Sequence, residues 1–174
     1  MLEKALNFID EKCAETFLPL FFHRPYPHAD LDIMGEAMTE YEGEFCETPF
    51  GGSRDGYKSQ QNPRAAYAAM VTYLDKSVGL IIKELKEKGL YDHTIIVFTS
   101  DNGVHSEEGT IHLILTVMVR SEVRKEIYMK EVSVLPFVIQ WPGVIPQGVV
   151  TNHISAFWDF LPTIGELVQA DIPQ

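Results

Sequence analysis

The sequence has little cysteine, few basic residues and no long apolar run, and each shortage argues against a class of protein. Two cysteines, Cys13 and Cys46, are too few for a disulfide framework and lack metal-site spacing, although one disulfide stays open. With 14 basic against 25 acidic residues, the net charge of −11 argues against a nucleic-acid or anionic-membrane surface and is compatible with cation binding. No uninterrupted apolar run reaches the length of a membrane span, and the acidic, amphipathic N-terminus does not read as a signal peptide.

What the chain does contain is a strong helical pattern in an otherwise ordinary composition. Its 174 residues, of which 45% are hydrophobic, predict one domain with a sizeable core. A short helix is predicted over residues 2–12. A longer one begins with Asn62 as N-cap and Pro63 at the first helical position, and stops at Gly89. Its apolar residues recur at steps of three and four: Tyr67, Met70, Val71, Leu74, Val78, Ile81, Ile82 and Leu85.

Two short apolar runs predict strands. Residues 94–99 follow the long helix directly, residues 136–141 form a second run, and residues 158–168 predict a final helix. A strand that is apolar throughout is usually covered on both faces, as in a parallel sheet. We therefore predict an α/β fold with a mainly parallel sheet flanked by helices. Residues 43–62, rich in glycine, predict a long surface loop.

The first predicted strand ends on Ser100-Asp101-Asn102-Gly103, which is the feature most suggestive of chemistry. Ligands of open α/β sheets bind beyond the carboxyl ends of the strands, and carboxylate and amide oxygens are the donors that calcium and magnesium prefer. Gly103 permits the bend that would let both side chains reach one ion. His105 lies close by and could donate to an anion. The competing interpretation is a turn, in which the same residue types are common.

The wider context resembles the sulfatase family of the alkaline-phosphatase superfamily. The stretch from Pro63 to Gly103, PRAAYAAMVTYLDKSVGLIIKELKEKGLYDHTIIVFTSDNG, is similar to the family's helix and its following strand that ends T-S-D-N-G. Residues 138–167 resemble the segment after the active-site loop, and His28-Ala29 resembles a family P-H element. The resemblance therefore touches nearly the whole chain.

The resemblance implies a fold, a reaction and a set of site residues. Sulfatases hydrolyse a sulfate monoester to an alcohol and sulfate, using a formylglycine nucleophile made from a cysteine or serine in C/S-x-P/A-x-R and a divalent cation, usually calcium. Asp101 and Asn102 would be metal ligands, and His28 would donate to the sulfate oxygens. Neither Cys13 nor Cys46 has the maturation pattern, so no catalytic nucleophile is assigned.

The departures from the family lead to an expectation of incompleteness. The family's first strand, with two acidic ligands and the nucleophile, would lie upstream of Met1, and the smaller C-terminal subdomain has no counterpart. We therefore expect residues 1–174 to form a single partial catalytic domain without its N-terminal strands, inactive alone and with an incomplete calcium site. Relatives bind sulfate esters and are often periplasmic or exported, but the chain itself assigns no location. An uncovered sheet edge predicts self-association.

Three other interpretations stay open. A second chain could supply the nucleophile and restore an active hydrolase. The chain could be a non-catalytic module that binds calcium or another protein. It could also belong to a phosphatase or phosphonate hydrolase of the same superfamily, since fold alone does not decide chemistry.

Two segments where the resemblance fails suggest a shifted reading frame. Back-translation of residues 119–134, shifted by one base, can read G-P-F-R-G-K-K-R-D-I-Y-E-G-G-I-R, which is the family's loop, and ETFLPLFF can read K-P-F-F-L-Y-F. We hypothesise that residues 16–27 and 110–135 are out-of-frame segments, and for that reason do not assign the family's sulfate-binding lysine to Lys125.

Sequencing the encoding DNA checks this hypothesis. We expect a one-base shift near codons 16 and 110 to spell the family segments, with the frame restored after each. A shifted frame that spells neither segment would eliminate the hypothesis.

Overall fold

Helices provide most of the regular structure in the computed structural model, which describes residues 1–14, 20, 22, 27–28, 30–33, 35–52, 56–101 and 135–170. The described elements are, in chain order, α1 (Leu2–Lys12), α2 (Glu36–Thr39), α3 (Pro63–Glu87), β1 (Ile96–Thr99), β2 (Phe137–Gln140) and α4 (Phe160–Leu167). Single 3₁₀ turns at Tyr91–His93 and Phe157–Asp159 precede β1 and α4. The predicted helices are confirmed, whereas α2 was not predicted.

The core lies against the N-terminal half of α3. Leu31 and Met38 pack there on a row of small residues and one methionine: Ala65, Ala66, Ala69 and Met70. The predicted apolar face of α3 is therefore only partly the buried one, because Val71 is 42% exposed while the alanines are buried. Small side chains let a neighbouring segment approach the helix backbone closely, a role that hydrophobicity alone does not indicate. At the other end of the helix, α1 packs on α3 and buries Ile9 completely.

The start of α3 is capped by a distant carboxylate. Asn62 occupies the N-cap position, as predicted, but its side chain makes no capping hydrogen bond. Instead Glu47 Oε2 accepts from the Arg64 N–H at 3.0 Å, and Glu47 Oε1 accepts from the Ala65 N–H at 2.8 Å. An anionic acceptor satisfies two amides that have no intrahelical partner and interacts favourably with the helix dipole. The cap also ties the 43–62 loop to the core helix.

The two described strands do not confirm the parallel pairing that was predicted for the sheet. β1 and β2 pair antiparallel, with Ile96 opposite Gln140 and Thr99 opposite Phe137, rather than parallel. A continuous apolar run indicates that a strand is buried. Whether two strands pair parallel or antiparallel depends instead on the connection between them. Nor are both faces covered by the described residues, since Val138 is 61% exposed. The Gln140 side-chain amide donates to the Tyr91 hydroxyl, which links the sheet to the turn after α3.

The far end of α3 is held to α1 by charge. Lys88 Nζ pairs with Asp10 and lies 3.8 Å from Glu84 Oε1. The hydrogen bond to Asp10 is the main cause that raises the pKa of Lys88. Nearer the core, burial raises the pKa of the Tyr67 hydroxyl.

Two further expectations concern cysteine and membranes. Cys13 and Cys46 are free thiols, so the disulfide that the sequence left open is not formed. Within the described ranges, α3 is the helix that has the length and apolar composition to cross a membrane. Its buried residues lie against the core cluster and α1. The proposed out-of-frame segments lie outside the described residues, apart from Leu20, Phe22, Pro27, Leu135 and neighbouring His28.

The carboxylate cap predicts a measurable loss of stability on its removal. Glu47→Ala should lower the free energy of unfolding by about 1–2 kcal/mol, because two helix amides lose an ionised acceptor. Glu47→Gln, which keeps one acceptor oxygen, should lose less. Urea denaturation followed by circular dichroism measures both. Glu44→Ala, at an exposed position in the same loop, is the matched control, and an equal loss in this variant would contradict the capping role.

Candidate functional site

His28 lies on a loop in which its side chain is hydrogen-bonded to the backbone two residues further along the chain. The exposed imidazole accepts a hydrogen bond at Nδ1 from the backbone N–H of Asp30, at 3.1 Å. The ring also meets Tyr57 edge-on, with 6.3 Å between ring centroids. Its Nε2 makes no hydrogen bond to any residue in the part of the chain that the structure describes. One edge of the ring is therefore held, and the exposed ring makes no second hydrogen bond within the described residues.

The loop around His28 is bound to residues 56–60 by several side chains. Asp30 Oδ1 accepts from the Lys58 backbone N–H at 3.0 Å, and Lys58 Nζ pairs with Asp32. Gln60 Nε2 donates to the Leu31 carbonyl at 3.0 Å. Since Leu31 is itself in the core, the loop is fixed both by burial and by hydrogen bonds.

An isolated antiparallel bridge between Phe50 and Gln60 supports these contacts. Phe50 and Gln60 exchange two backbone hydrogen bonds, of 2.8 and 2.9 Å. Gly52 has φ +89°, and a Cβ placed there would lie 2.9 Å from the Tyr57 carbonyl oxygen. Glycine is therefore required at this position.

Asp101 is exposed and lies two residues beyond the end of β1. Ser100 Oγ lies 3.5 Å from its Oδ1, at the outer limit of a hydrogen bond. The structure thus puts Asp101 where the sequence analysis predicted it, after a strand and accessible to a ligand. Asn102, the second predicted metal ligand, lies outside the described residues, as do His105 and Lys125.

The described residues alone do not fit a complete calcium site. The chemistry of Asp101 is suitable, because an exposed carboxylate is a hard oxygen donor. However, no group of three or more His, Cys, Asp or Glu side chains that could hold a metal ion occurs within the described ranges. Calcium takes about six to eight oxygen ligands, so one described carboxylate and one further predicted amide leave the coordination incomplete.

No hydrogen bond joins His28 and Asp101 within the described residues. Among the described residues, their hydrogen bonds and ring contacts run to different partners. The roles of Asp30 and Glu47 were not predicted from the sequence. The Lys58 N–H that Asp30 accepts from is 28 residues away, and the first helix amide that Glu47 accepts from is 17 residues away. The one local signal was the pair of acids, Asp30 and Asp32, that closely follows His28.

Comparison with known proteins gives a consistent family. The model of the sulfatase family matches residues 1–170. The ulvan-active sulfatase of Formosa agariphila is 32% identical over 111 residues, which is 62% of this chain and 19% of that protein. The N-acetylglucosamine-6-O-sulfatase of Bacteroides thetaiotaomicron is 30% identical over 118 residues, covering 67% of this chain and 19% of the relative. Human arylsulfatase H is 29% identical over 166 residues, which cover 94% of this chain and 26% of that protein.

Solved structures agree over almost the full chain. Ps i-CgsB in complex with k-i-k-neocarrahexaose superposes with a TM-score of 0.69 and 26% identity, covering 99% of this chain and 34% of that one. A Bacteroides fragilis protein, yidJ, described as a sulfatase, gives a TM-score of 0.65 and 25% identity, covering 95% and 35%. The chain therefore spans about a third of these structures, and less of the curated relatives.

Proposed function

The chain belongs to the sulfatase family, and from that membership we propose that it carries a sulfate-binding histidine and one side of a divalent-cation site. In this proposal His28 donates a hydrogen bond to a sulfate oxygen. Asp101 and Asn102 supply two oxygen ligands to calcium. The observation that carries the proposal is the exposed His28 ring, held at Nδ1 and without a described hydrogen-bond partner at Nε2.

The geometry of His28 supports a role as a donor. A sulfate monoester presents only acceptor oxygens, so its partner must bring an N–H or O–H group. An imidazole that accepts at Nδ1 has its ring proton on Nε2 when neutral, and that N–H makes no hydrogen bond to a described residue. A hydrogen bond to a charged acceptor contributes roughly 1.5–3 kcal/mol.

The cation site is proposed as partial. An exposed carboxylate after β1 and the adjacent amide of Asn102 are two hard donors. The other oxygens must come from the sulfate, from water or from another polypeptide. A bound divalent cation would supply charge that polarises the sulfate group, and we assign no reaction step to it because the described residues do not complete its coordination.

We further propose that these 174 residues bind a sulfate ester but do not hydrolyse it alone. Hydrolysis by sulfatases needs the formylglycine precursor, and no cysteine or serine of this sequence has the C/S-x-P/A-x-R pattern. The relatives' names cover ulvan, N-acetylglucosamine-6-O-sulfate and steryl sulfate, which share the sulfate ester and little else. We therefore propose the sulfate group itself as the recognised chemistry. Because these relatives are named as sulfatases, they favour sulfate over the phosphate and phosphonate alternatives.

Removal of the Asp101 carboxylate tests the cation site. Asp101→Ala should weaken calcium binding at least tenfold, because one of two protein ligands and its negative charge are lost. Isothermal titration with calcium chloride in the presence of phenyl sulfate measures the affinity, and Asp92→Ala, at an exposed position in the turn before β1, is the control. Equal affinity in the Asp101 variant and the parent chain would rule out Asp101 as a ligand.

The same proteins should show no turnover of a chromogenic aryl sulfate with calcium present. Turnover by the parent chain that disappears in Asp101→Ala would overturn the non-catalytic part of the proposal and point to a nucleophile of another kind.

Substitution of His28 tests sulfate recognition. His28→Ala removes the N–H donor and should weaken phenyl sulfate binding roughly tenfold, which corresponds to the loss of one hydrogen bond to a charged acceptor. Chemical-shift titration by NMR measures the dissociation constant. His153→Ala changes an exposed histidine elsewhere on the chain and should bind as the parent does. Parallel weakening in both variants would indicate nonspecific attraction rather than a site at His28.

A further inference from the structure

We propose that Asp30 is a positioning residue that presents His28 to the sulfate group as a neutral Nε2–H donor. This inference rests on the proposed function, because it explains how the recognition group is held. Asp30 makes two hydrogen bonds, one as a donor and one as an acceptor. Its backbone N–H donates to His28 Nδ1, and its carboxylate accepts from the Lys58 backbone N–H. It is thus the link between the exposed imidazole and the anchored 56–60 segment.

The first of these bonds determines where the imidazole proton lies. A backbone amide is only a donor at nitrogen, so the Nδ1 atom it faces at 3.1 Å must offer a lone pair. In the neutral ring the remaining proton is then on Nε2. The opposite tautomer would lose the Asp30 bond and direct a lone pair at the anionic oxygens of a sulfate ester. The amide therefore selects the tautomer that can bind.

The second bond fixes the amide itself. Asp30 is half-buried, and its Oδ1 is 3.0 Å from the Lys58 backbone nitrogen. The next residue, Leu31, is 5% exposed and packs in the core against α3. Its carbonyl oxygen accepts from Gln60 Nε2. Because the Asp30 side chain is bound to the Lys58 backbone and the next residue is buried in the core, the Cα of Asp30, and with it the attached N–H, is restrained near His28 Nδ1.

The neighbouring acid has a separate role and gives a matched control. Asp32 pairs with the Lys58 ammonium, whereas Asp30 accepts from the Lys58 backbone. The Asp32 side chain is 41% exposed and the Lys58 side chain 62% exposed, so this pair is a surface ion pair with little expected influence on the fold. The two acids, two residues apart, therefore differ in whether they hold the amide that faces the imidazole.

The experiment uses the full chain uniformly labelled with ¹⁵N. Long-range ¹H–¹⁵N correlation spectra at a pH where the ring is neutral report which nitrogen of His28 carries the proton. The parent chain should show the Nε2–H tautomer and a slowly exchanging Asp30 amide. Asp30→Ala keeps the backbone N–H and removes its anchor, so the spectra should shift towards averaged tautomers. Phenyl sulfate affinity should fall roughly fivefold, as expected for one lost hydrogen bond.

Two further variants distinguish a positioning role of Asp30 from a general loss of folded structure. Asp30→Asn keeps a side-chain oxygen acceptor for the Lys58 N–H, and should restore both the tautomer and most of the affinity. Asp32→Ala should leave both unchanged. If Asp30→Ala fails to fold, as judged by its circular dichroism, a parent chain without the fixed tautomer would still overturn the proposal.

These outcomes separate the positioning role of Asp30 from the proposed sulfate-binding function on which it rests. A fixed tautomer that is lost in Asp30→Ala and restored in Asp30→Asn supports the positioning role, even where no sulfate binding is detected. In that case the proposed function fails alone. Sulfate binding that depends on His28 and is unchanged in Asp30→Ala, with the tautomer retained, would overturn the positioning role and leave the proposed function standing.

Discussion

The packing of Leu31 on the alanines of α3 is the contact on which the described site depends. Burial of one leucine side chain contributes roughly 1.5–3 kcal/mol, and here it also brings an irregular segment against the helix. Because Ala65, Ala66 and Ala69 are small, the segment can lie close to the helix backbone. His28 lies three residues before this anchor, so the position of the exposed ring follows from an apolar contact made nearby.

Hydrogen bonds then hold the segment that contains His28 and Leu31 in a defined position. Glu47 caps α3 and ties down one end of the 43–62 loop, while Gln60 and Lys58 bind the other end to the His28 segment. These bonds connect residues far apart in sequence; those of Glu47 and Gln60 are partly buried, and the bond from Lys58 to Asp30 is exposed. An exposed histidine on an unanchored loop would lose conformational entropy on binding a ligand, whereas much of that cost is already met here.

The sheet shows the opposite situation, since apolar residues there lack cover from the described part of the chain. Val138 on β2 and Trp158 before α4, 61% and 80% exposed, are the kind of residues that sheets and helices normally bury. The structural relatives are about three times as long as the matched region. Among the described residues, nothing packs over the Val138 and Trp158 side chains closely enough to bury them.

Sequence alone was enough for α1, α3 and α4, for the family and for the position of Asp101 after a strand. Helical periodicity and proline at the helix start are local signals, and the T-S-D-N-G ending belongs to one short stretch. The tertiary structure decided the rest: the antiparallel pairing of β1 and β2, the alanine face of α3, the capping by Glu47 and the bond from Asp30 to His28. Apart from the last, these depend on groups distant along the chain, and the last depends on a backbone direction imposed by such groups. Residue type and spacing record what a side chain can do, but only the folded chain determines which partner it meets.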